Sequence, residues 1–492
     1  MCEMVYLDNN SKIISSVLKE NILRMKKDFG ETADFVLREI KISEIDAAVV
    51  SLDGMTNRDL VIQSVLNRIC NINIPGTASE KYEYIKSGII TATEHIESDD
   101  YDQILNMLMA GFTILALDKV KFMLILSSPG YSCRSIAEPS SEIMQRDSRE
   151  GFIEVANINI TLLRRRFKTP KLMFESISFG SVSKTLGYLC YLTDKVSQSV
   201  LNEVRRKLKK VNLETVLASG YLTPYLEEEN DLSLFSSVGM SERPDTVAGK
   251  IAEGRIAILI DGTPNVLIIP YLFVEYFQSL DDYSMKPYFA SFIRWVKYIA
   301  FFVSVLLPSL YVGLATFNPE VFPSQLLSKI ALAVGTTPFS LVLETTIILF
   351  MYEIMREAGL RLPKPVGHAV SIVGGLVIGQ TAVTSGLIGS PTLMVVALTA
   401  ICSYVIPALY ESMAFLRLIL IIVAGFTGVW GTVLVFCAVL INICSKTNYG
   451  IPFTAPISPF SLLGMRDVLI RAGWKFLSKK ENTVQKMPGS NI

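Results

Sequence analysis

The sequence predicts an α/β soluble N-terminal region of two small subdomains, followed by an all-α polytopic membrane domain. That domain is expected to hold four or five spans plus a re-entrant or amphipathic segment. Three observations carry the prediction. Half of the 492 residues are hydrophobic and the mean hydropathy is +0.41, high for a wholly soluble chain. The 46 basic and 46 acidic side chains are unevenly placed: Ser291–Ile492 holds 14 Lys/Arg and 7 Asp/Glu, leaving 32 and 39 for residues 1–290. The front is therefore about −7 and the back about +7. Finally, Tyr298–Ala315, Val366–Val383, Leu393–Leu409 and Leu418–Ile443 carry no Asp, Glu, Lys or Arg at membrane-spanning length. Together these argue against disorder, a collagen-like chain, a disulfide-framed secreted domain and a soluble enzyme.

Residues 1–45 form the first expected unit, an amphipathic helical segment. Ile13, Ile14, Val17, Leu18, Ile22 and Met25 recur at helical spacing over 11–27, so this helix lies on a lipid surface, on a neighbouring subunit or on its own domain. Residues 46–155 form subdomain 1. Ala47–Leu52 reads as a buried strand, Arg58–Ile69 as a helix, and Gly111–Ala116 with Lys121–Leu126 as an antiparallel pair. Residues 156–287 form subdomain 2, with strands at Thr185–Leu192, Arg255–Ile260 and Val266–Ile269 and a helix over Ser197–Lys210. The membrane domain covers 288–445, and a basic tail covers 446–492.

Within the membrane domain, Phe339–Met355 is apolar yet carries Glu344 and Glu353. At 100° per residue Thr345, Thr346, Tyr352, Glu353, Arg356 and Glu357 share one arc, whereas Glu344 falls on the opposite, apolar side. A lipid-facing carboxylate costs several kcal/mol, so each Glu requires water, a partner or a proton. The segment is thus a candidate lining for a polar path, or else an interfacial amphipathic helix. Ser371, Gly375 and Gly379 make a small-residue ridge for close helix packing. Gln380 is expected to bond across helices, and His368 to titrate or to hold a structural bond. Leu418–Ile443 exceeds one straight span, so Gly425, Gly428 and Gly431 are expected to kink it unless it tilts. Arg294 and Lys297 precede the first span and agree with a cytosolic front domain. Five spans would put the basic tail outside; four put it inside but leave Arg361 and Lys364 outside. An internal tail is favoured.

Chemistry is sparse. Seven scattered cysteines lack zinc or redox spacing, and the two histidines, His95 and His368, rule out a His-rich metal site. The N-terminal residues lack a signal-peptide pattern. No phosphate loop or nucleophile elbow occurs, so no enzyme and no cofactor are expected. Basic clusters at Arg164-Arg165-Arg166 and Arg205-Arg206-Lys207 lack interleaved aromatics, which argues for solvated or salt-bridged helix faces over nucleic acid. Asp261-Gly262-Thr263-Pro264 suits a tight turn after a strand. Glu242-Arg243-Pro244-Asp245 sets a guanidinium between two carboxylates, either for internal salt bridges or for a subunit or ligand contact.

Those last motifs carry a resemblance. Ser241 to Asp245 (SERPD) through Glu253 to Pro264 (EGRIAILIDGTP) resembles the TERPD…EGRVAILVDGTP block of the A subunits of GerA-type spore germinant receptors. Further matches are Glu138-Pro139-Ser140, Arg149 to Phe152, Gly220 to Leu222, Tyr288 to Arg294, and Arg356 to Gly367 running into Ala369 to Gly374. Ser241 replaces the usual Thr, Ser236-Ser237 replaces a frequent Phe-Pro, and His368 replaces a common Gln. The resemblance implies a subunit of a nutrient-sensing receptor in the inner membrane of a dormant spore. It implies a transporter-like B subunit and a lipoprotein C subunit as partners, and A subunits oligomerising as pentamers around a nutrient-gated path for monovalent cations. Candidate pore or gating residues are then Glu344, Glu353, Glu357, Val366, His368 and Gln380, with Arg294 coupling the soluble domain to the membrane. A non-conducting signalling scaffold and a secondary transporter stand as alternatives.

Overall fold

The computed structural model describes residues 12–57, 62, 76–89, 95–128, 130, 139, 142, 148–227, 233–363, 375, 377, 379–462, 464–477, 484, 487, 489 and 490. Helix α1 (Leu18–Phe29) opens the chain and buries Leu18, Ile22, Met25 and Phe29 against Val50, Ile104 and Ile114. Of the apolar stripe read from the sequence, Ile14, Leu18, Ile22 and Met25 cover the protein's own sheet, whereas Ile13 and Val17 precede the helix and are exposed. Strands β1 (Phe35–Ile42) and β2 (Ile45–Leu52) follow, joined by Ser43 and Glu44 at φ +46° and +72°. Two left-handed residues match the right-handed twist of a two-residue hairpin. β1 lies inside the stretch expected to be helical. It is an edge strand whose Arg38, Glu39 and Lys41 blur the apolar alternation. Helix α2 (Ala78–Tyr84) starts with a capping box between Thr77 and Glu80. Strand β3 (His95–Ser98), helix α3 (Tyr101–Met109) and the antiparallel strands β4 (Thr113–Leu117) and β5 (Met123–Leu126) complete the unit. The helix expected over Arg58–Ile69 lies outside the described residues.

The second unit repeats the first. Helix α4 (Ala156–Arg166) precedes the hairpin β6 (Leu172–Phe179) and β7 (Thr185–Leu192). Then come α5 (Gln198–Lys209), β8 (Gly239–Ser241), α6 (Pro244–Ala252), β9 (Ile256–Ile260) and β10 (Val266–Ile269). The sheets run β1-β2-β4-β5-β3 and β6-β7-β9-β10-β8, the same path in the same order, and the strand pairings among the described residues are all antiparallel. A buried ion pair joins the units: Arg164 donates from Nε and Nη2 to both oxygens of Asp34, each at 2.8 Å. Arg165 and Arg166 reach Glu150, and Arg205 reaches Glu175. These members of the basic clusters thus make internal ion pairs.

The helical domain begins with α7 (Pro287–Phe317). Next come α8 (Ser324–Thr336) and α9 (Leu341–Arg361), bent by 80° at the intervening break. Residues 379–384 are helical, and α10 (Ser390–Tyr404) and α11 (Tyr410–Ser445) follow. The run Leu393–Leu409 is interrupted, because α10 ends at Tyr404 and Pro407 opens the turn into α11. Within α11, Gly428 has φ +68° and ψ −154°, which is not helical. The chain reverses there. Ser412 donates to the carbonyl of Leu234 and Lys446 to that of Phe235, at 2.6 Å for the latter. A straight helix would hold positions 412 and 446 roughly 51 Å apart, so contacts to adjacent residues require two antiparallel arms, 410–427 and 429–445. Gly428 packs on Phe317, at the end of α7 remote from the sheets.

This fixes a near end, beside the soluble domain, and a far end. α7 runs to the far end, passing Phe436 at Phe302 and Val429 at Gly313. α9 returns, with Val342 against Gly425 and Glu353 against Tyr410. Gly375 approaches Met355 and Gly379 approaches Leu393, leading down again. α10 climbs from Gly389, bonded to Glu344, to Tyr404 beside Tyr352. The arms of α11 then descend and return. The C-terminal segment finishes under the soluble domain, where Asn448 donates to Ser237, Tyr449 to Leu226 and Gln278 to Asp467.

Candidate functional site

The motif of residues 241–245 is a loop clamp. Pro244 starts α6 where no amide partner is needed, and Arg243 just before it is 2% exposed. Its Nε and Nη2 bond Asp245 at 3.1 and 2.6 Å, and Nη2 also donates to the Ser148 carbonyl at 2.7 Å. Ser241 donates to Glu142 at 2.6 Å. Burial raises the pKa of Glu142, opposed by the Ser241 bond and the Arg243 charge. Asp261 accepts the Ala156 amide at 3.0 Å and so caps α4 from a distant turn, while Gly262 at φ +90° donates to the Glu154 carbonyl at 2.7 Å. Thr263 accepts the Asn265 amide at 3.3 Å, and the motif ends at Pro264.

A second buried cluster ties this subdomain to the membrane-proximal turn. Glu275 accepts from Arg255 and Lys250 and caps the amide of Leu272. Burial pushes its pKa up, but the Arg255 and Lys250 charges and their hydrogen bonds outweigh burial and hold it below the ordinary value.

Arg294 is wholly buried in the first turns of α7. Its Nε donates to Asp282 at 2.9 Å, and Nη1 donates to the carbonyl and Oδ1 of Asp467 at 2.6 and 2.8 Å. Tyr283 adds a bond to Asp467 at 2.6 Å, and Lys297 reaches Asp282 at 3.4 Å. Arg294 is therefore held by protein partners. It joins the linker, the first long helix and the C-terminal segment.

In the helical domain, Glu353 receives Tyr410 Oη at 2.7 and 2.6 Å, Arg417 Nη2 at 2.9 Å and Arg356 Nε at 3.3 Å. Arg356 also lies 3.7 Å over the Tyr410 ring. The polar arc of α9 thus turns toward the first arm of α11 at Glu353, and Thr345 is fully buried. Glu357 pairs with exposed Arg361. Glu344, also fully buried, accepts the Gly389 amide at 2.7 Å, the partner that its apolar surroundings demand. Gln380 is exposed, as are Val377, Thr381 and Thr384 on the same helical face; its expected bond across helices is replaced by an open surface. Val366, His368 and Ser371 lie outside the described residues. Sequence reading missed Arg417, Asp282 and Asp467. Arg417 stands one position before an uncharged run, and searching near-terminal basic residues for a Glu353 partner would have found it.

Two repeated antiparallel sheets with helices, set on apolar rods, define a membrane protein with a large soluble domain at one end. Two helices, Pro287–Phe317 and Pro407–Ser445, are long and apolar enough to cross a membrane, and the bent pair α8–α9 passes the same test. The family model described as "Bacillus/Clostridium GerA spore germination protein" matches residues 23–483. Spore germination protein KA of Bacillus subtilis (strain 168) is 36% identical over 479 residues, 96% of this chain and 88% of that protein. Spore germination protein GerLA of Bacillus cereus is 31% identical over 489 residues, 99% of this chain and 98% of that one. The crystal structure of the N-terminal domain of the A subunit of the Bacillus megaterium spore germinant receptor GerK3 is 30% identical. It covers 54% of this chain and 98% of its own, with a TM-score of 0.43. The chain belongs to the GerA family of spore germination proteins.

Proposed function

We propose that this chain is the A subunit of a nutrient-sensing germinant receptor. It lies in the inner spore membrane and oligomerises, as a pentamer, into a gated path for monovalent cations, with B and C subunits as partners. Family membership supports the receptor role. The observation that carries the conducting role is the exposed face of Val377, Gln380, Thr381 and Thr384 on an otherwise apolar rod. A Gln side chain facing lipid is costly, so such a face suits a lumen between copies. Soluble domain and tail share the near end, which also gathers Arg294, Lys297, Arg356, Arg361 and Arg417. Among the described residues the far-end segments 317–340, 385–391 and 425–431 carry only Glu320 and Lys329. The positive-inside rule then puts the near end in the cytosol, with α7, α9, the connection from α9 to α10, α10 and both arms of α11 crossing the bilayer. Six crossings put Arg361 and the described part of the tail on one side. Arg294 couples the soluble domain to the first rod.

The Glu353–Arg417 pair favours a second reading, a non-conducting signalling subunit, because it neutralises the carboxylate that a cation-selective ring would use. The experiment is conductance of the complete receptor in liposomes, comparing the native chain with Gln380→Leu and Gln380→Glu. Nutrient-dependent cation current that falls with Gln380→Leu supports the path. No current from an intact, nutrient-binding complex refutes conduction and leaves the signalling subunit.

A further inference from the structure

Where the far end of α9 meets the 379–384 helix and the start of α10, a cavity of about 360 Å³ opens. Its walls include Phe339, Ile347, Met351, Leu387 and Ile388, and the one carboxylate among its described lining residues is Glu344. The volume falls within the range of small-molecule sites, roughly 300–1,000 Å³.

Glu344 is 0% exposed, and its bonding is incomplete. Oε1 accepts the Gly389 amide at 2.7 Å. Among the described residues Oε2 has only the Thr337 hydroxyl at 3.5 Å, and that hydroxyl also donates to the Val334 carbonyl at the shorter distance of 3.0 Å. No Lys, Arg or His pairs with Glu344 among the described residues, whereas Glu353 in the same helix has two arginines. Glu344 stands in the first turn of α9 and meets the N-terminus of α10, so both helix dipoles favour negative charge here. A buried carboxyl group with one poorly bonded oxygen, beside an apolar cavity, is complementary to a donor head carrying positive charge on a short apolar tail.

We propose that this cavity binds a small amphiphilic monocation of the primary alkylammonium class. Its N–H groups donate to Glu344 Oε2, and its chain lies among Phe339, Ile347, Met351, Leu387 and Ile388. Its described lining residues all belong to one copy of the chain, and Val377 and Thr381 among them also lie on the exposed face assigned above to the path.

The test is calorimetric titration of the full chain in lipid nanodiscs with butylamine, hexylamine, hexanol and hexanoate, each corrected for partition into empty nanodiscs. Hexylamine is expected to bind at least tenfold more tightly than hexanol, and hexanoate not to bind. From butylamine to hexylamine affinity should rise about fourfold per methylene. Glu344→Gln keeps an acceptor for the Gly389 amide and should erase the preference for amine over alcohol. Ala382→Phe leaves Glu344 intact but fills the cavity and should abolish both. Equal binding of hexylamine and hexanol, undiminished hexylamine binding by Glu344→Gln, or binding that survives Ala382→Phe would each overturn the proposal.

Discussion

The reversal of α11 at Gly428 rests on a backbone conformation that side chains resist, so Gly428→Ala tests it directly. With φ +68° and ψ −154°, the residue occupies a region essentially reserved for glycine, and any other residue there costs about 1–3 kcal/mol. The new Cβ would also sit 3.1 Å from the Phe317 ring, forcing the ring back by a few tenths of an ångström. In a continuous helix the same change is favourable by about 1 kcal/mol. Together these tilt the balance against the hairpin by about 3 kcal/mol, more than a hundredfold in an equilibrium constant. The assay is a pulsed dipolar distance between spin labels at Glu411→Cys and Ser445→Cys, with the native cysteines replaced. Two packed arms hold those positions about one helix spacing apart, roughly 8–10 Å between axes plus the label arms. A straight helix separates them by roughly 51 Å. The native chain should give the short distance, and Gly428→Ala should lower thermal stability or populate the long one. A long distance in the native chain, or a Gly428→Ala protein with unchanged distances and stability, would refute the reversal.

Three further outcomes follow from the buried charges. Arg417→Met strips Glu353 of its interhelical guanidinium and should cost about 3 kcal/mol, whereas Arg417→Met with Glu353→Met should be far milder; thermal unfolding of the detergent-solubilised chain reads both. Asp34→Asn removes one charge from the fully buried bidentate pair with Arg164 and should cost about 3–5 kcal/mol, seen as earlier proteolysis between the subdomains on heating. Glu275 is held below its ordinary value of 4.5, so the folded protein binds that proton less tightly than the unfolded chain. Its stabilisation is complete above the unfolded value and is lost as pH falls through the folded one. Glu275→Gln should therefore lower the melting temperature at pH 7 and flatten its decline below about pH 4.5, measured by melting the full chain across pH.

The soluble strands were legible where burial is two-sided. Thr185–Leu192 and Val266–Ile269 appear with the expected bounds because continuous apolar runs leave no other reading. β1 and β6 were missed because each is an edge strand with an interrupted apolar pattern: Arg38, Glu39 and Lys41 break up β1, and Glu175, Ser176 and Ser178 break up β6. The repeat of the two units was equally hidden. It resides in strand order, which many different apolar sequences satisfy. In the helical domain, total apolar length was readable but its folding was not. A glycine within an uncharged run signals that a kink is allowed, not that the chain doubles back. What decides is the pair of polar anchors, Ser412 and Lys446, meeting adjacent carbonyls far away in sequence.

That pairing also resolves the conflict over charge. Counting runs gave four or five segments, and neither number set Arg361 and Lys364 on the side of the basic tail. The difference lies in Leu418–Ile443, which the linear count takes as one rod and the structure folds into two arms at Gly428. Once the chain turns at Gly428, the start and end of α11 both stand at the near end, and α9 must finish there because Glu353 meets Tyr410 and Arg417. Arg356 and Arg361 are then carried to the same level as Arg294, Lys297 and the C-terminal Arg471, whose amide bonds Ser291. Arg361 and the described basic residues of the tail, which could not share a side in a linear count, are gathered at one end by three contacts, none of them adjacent in sequence. Asp467 completes the arrangement: by accepting from Arg294 it fastens the last part of the chain to the first helix, so the soluble domain bears on the start and the return of the bundle together.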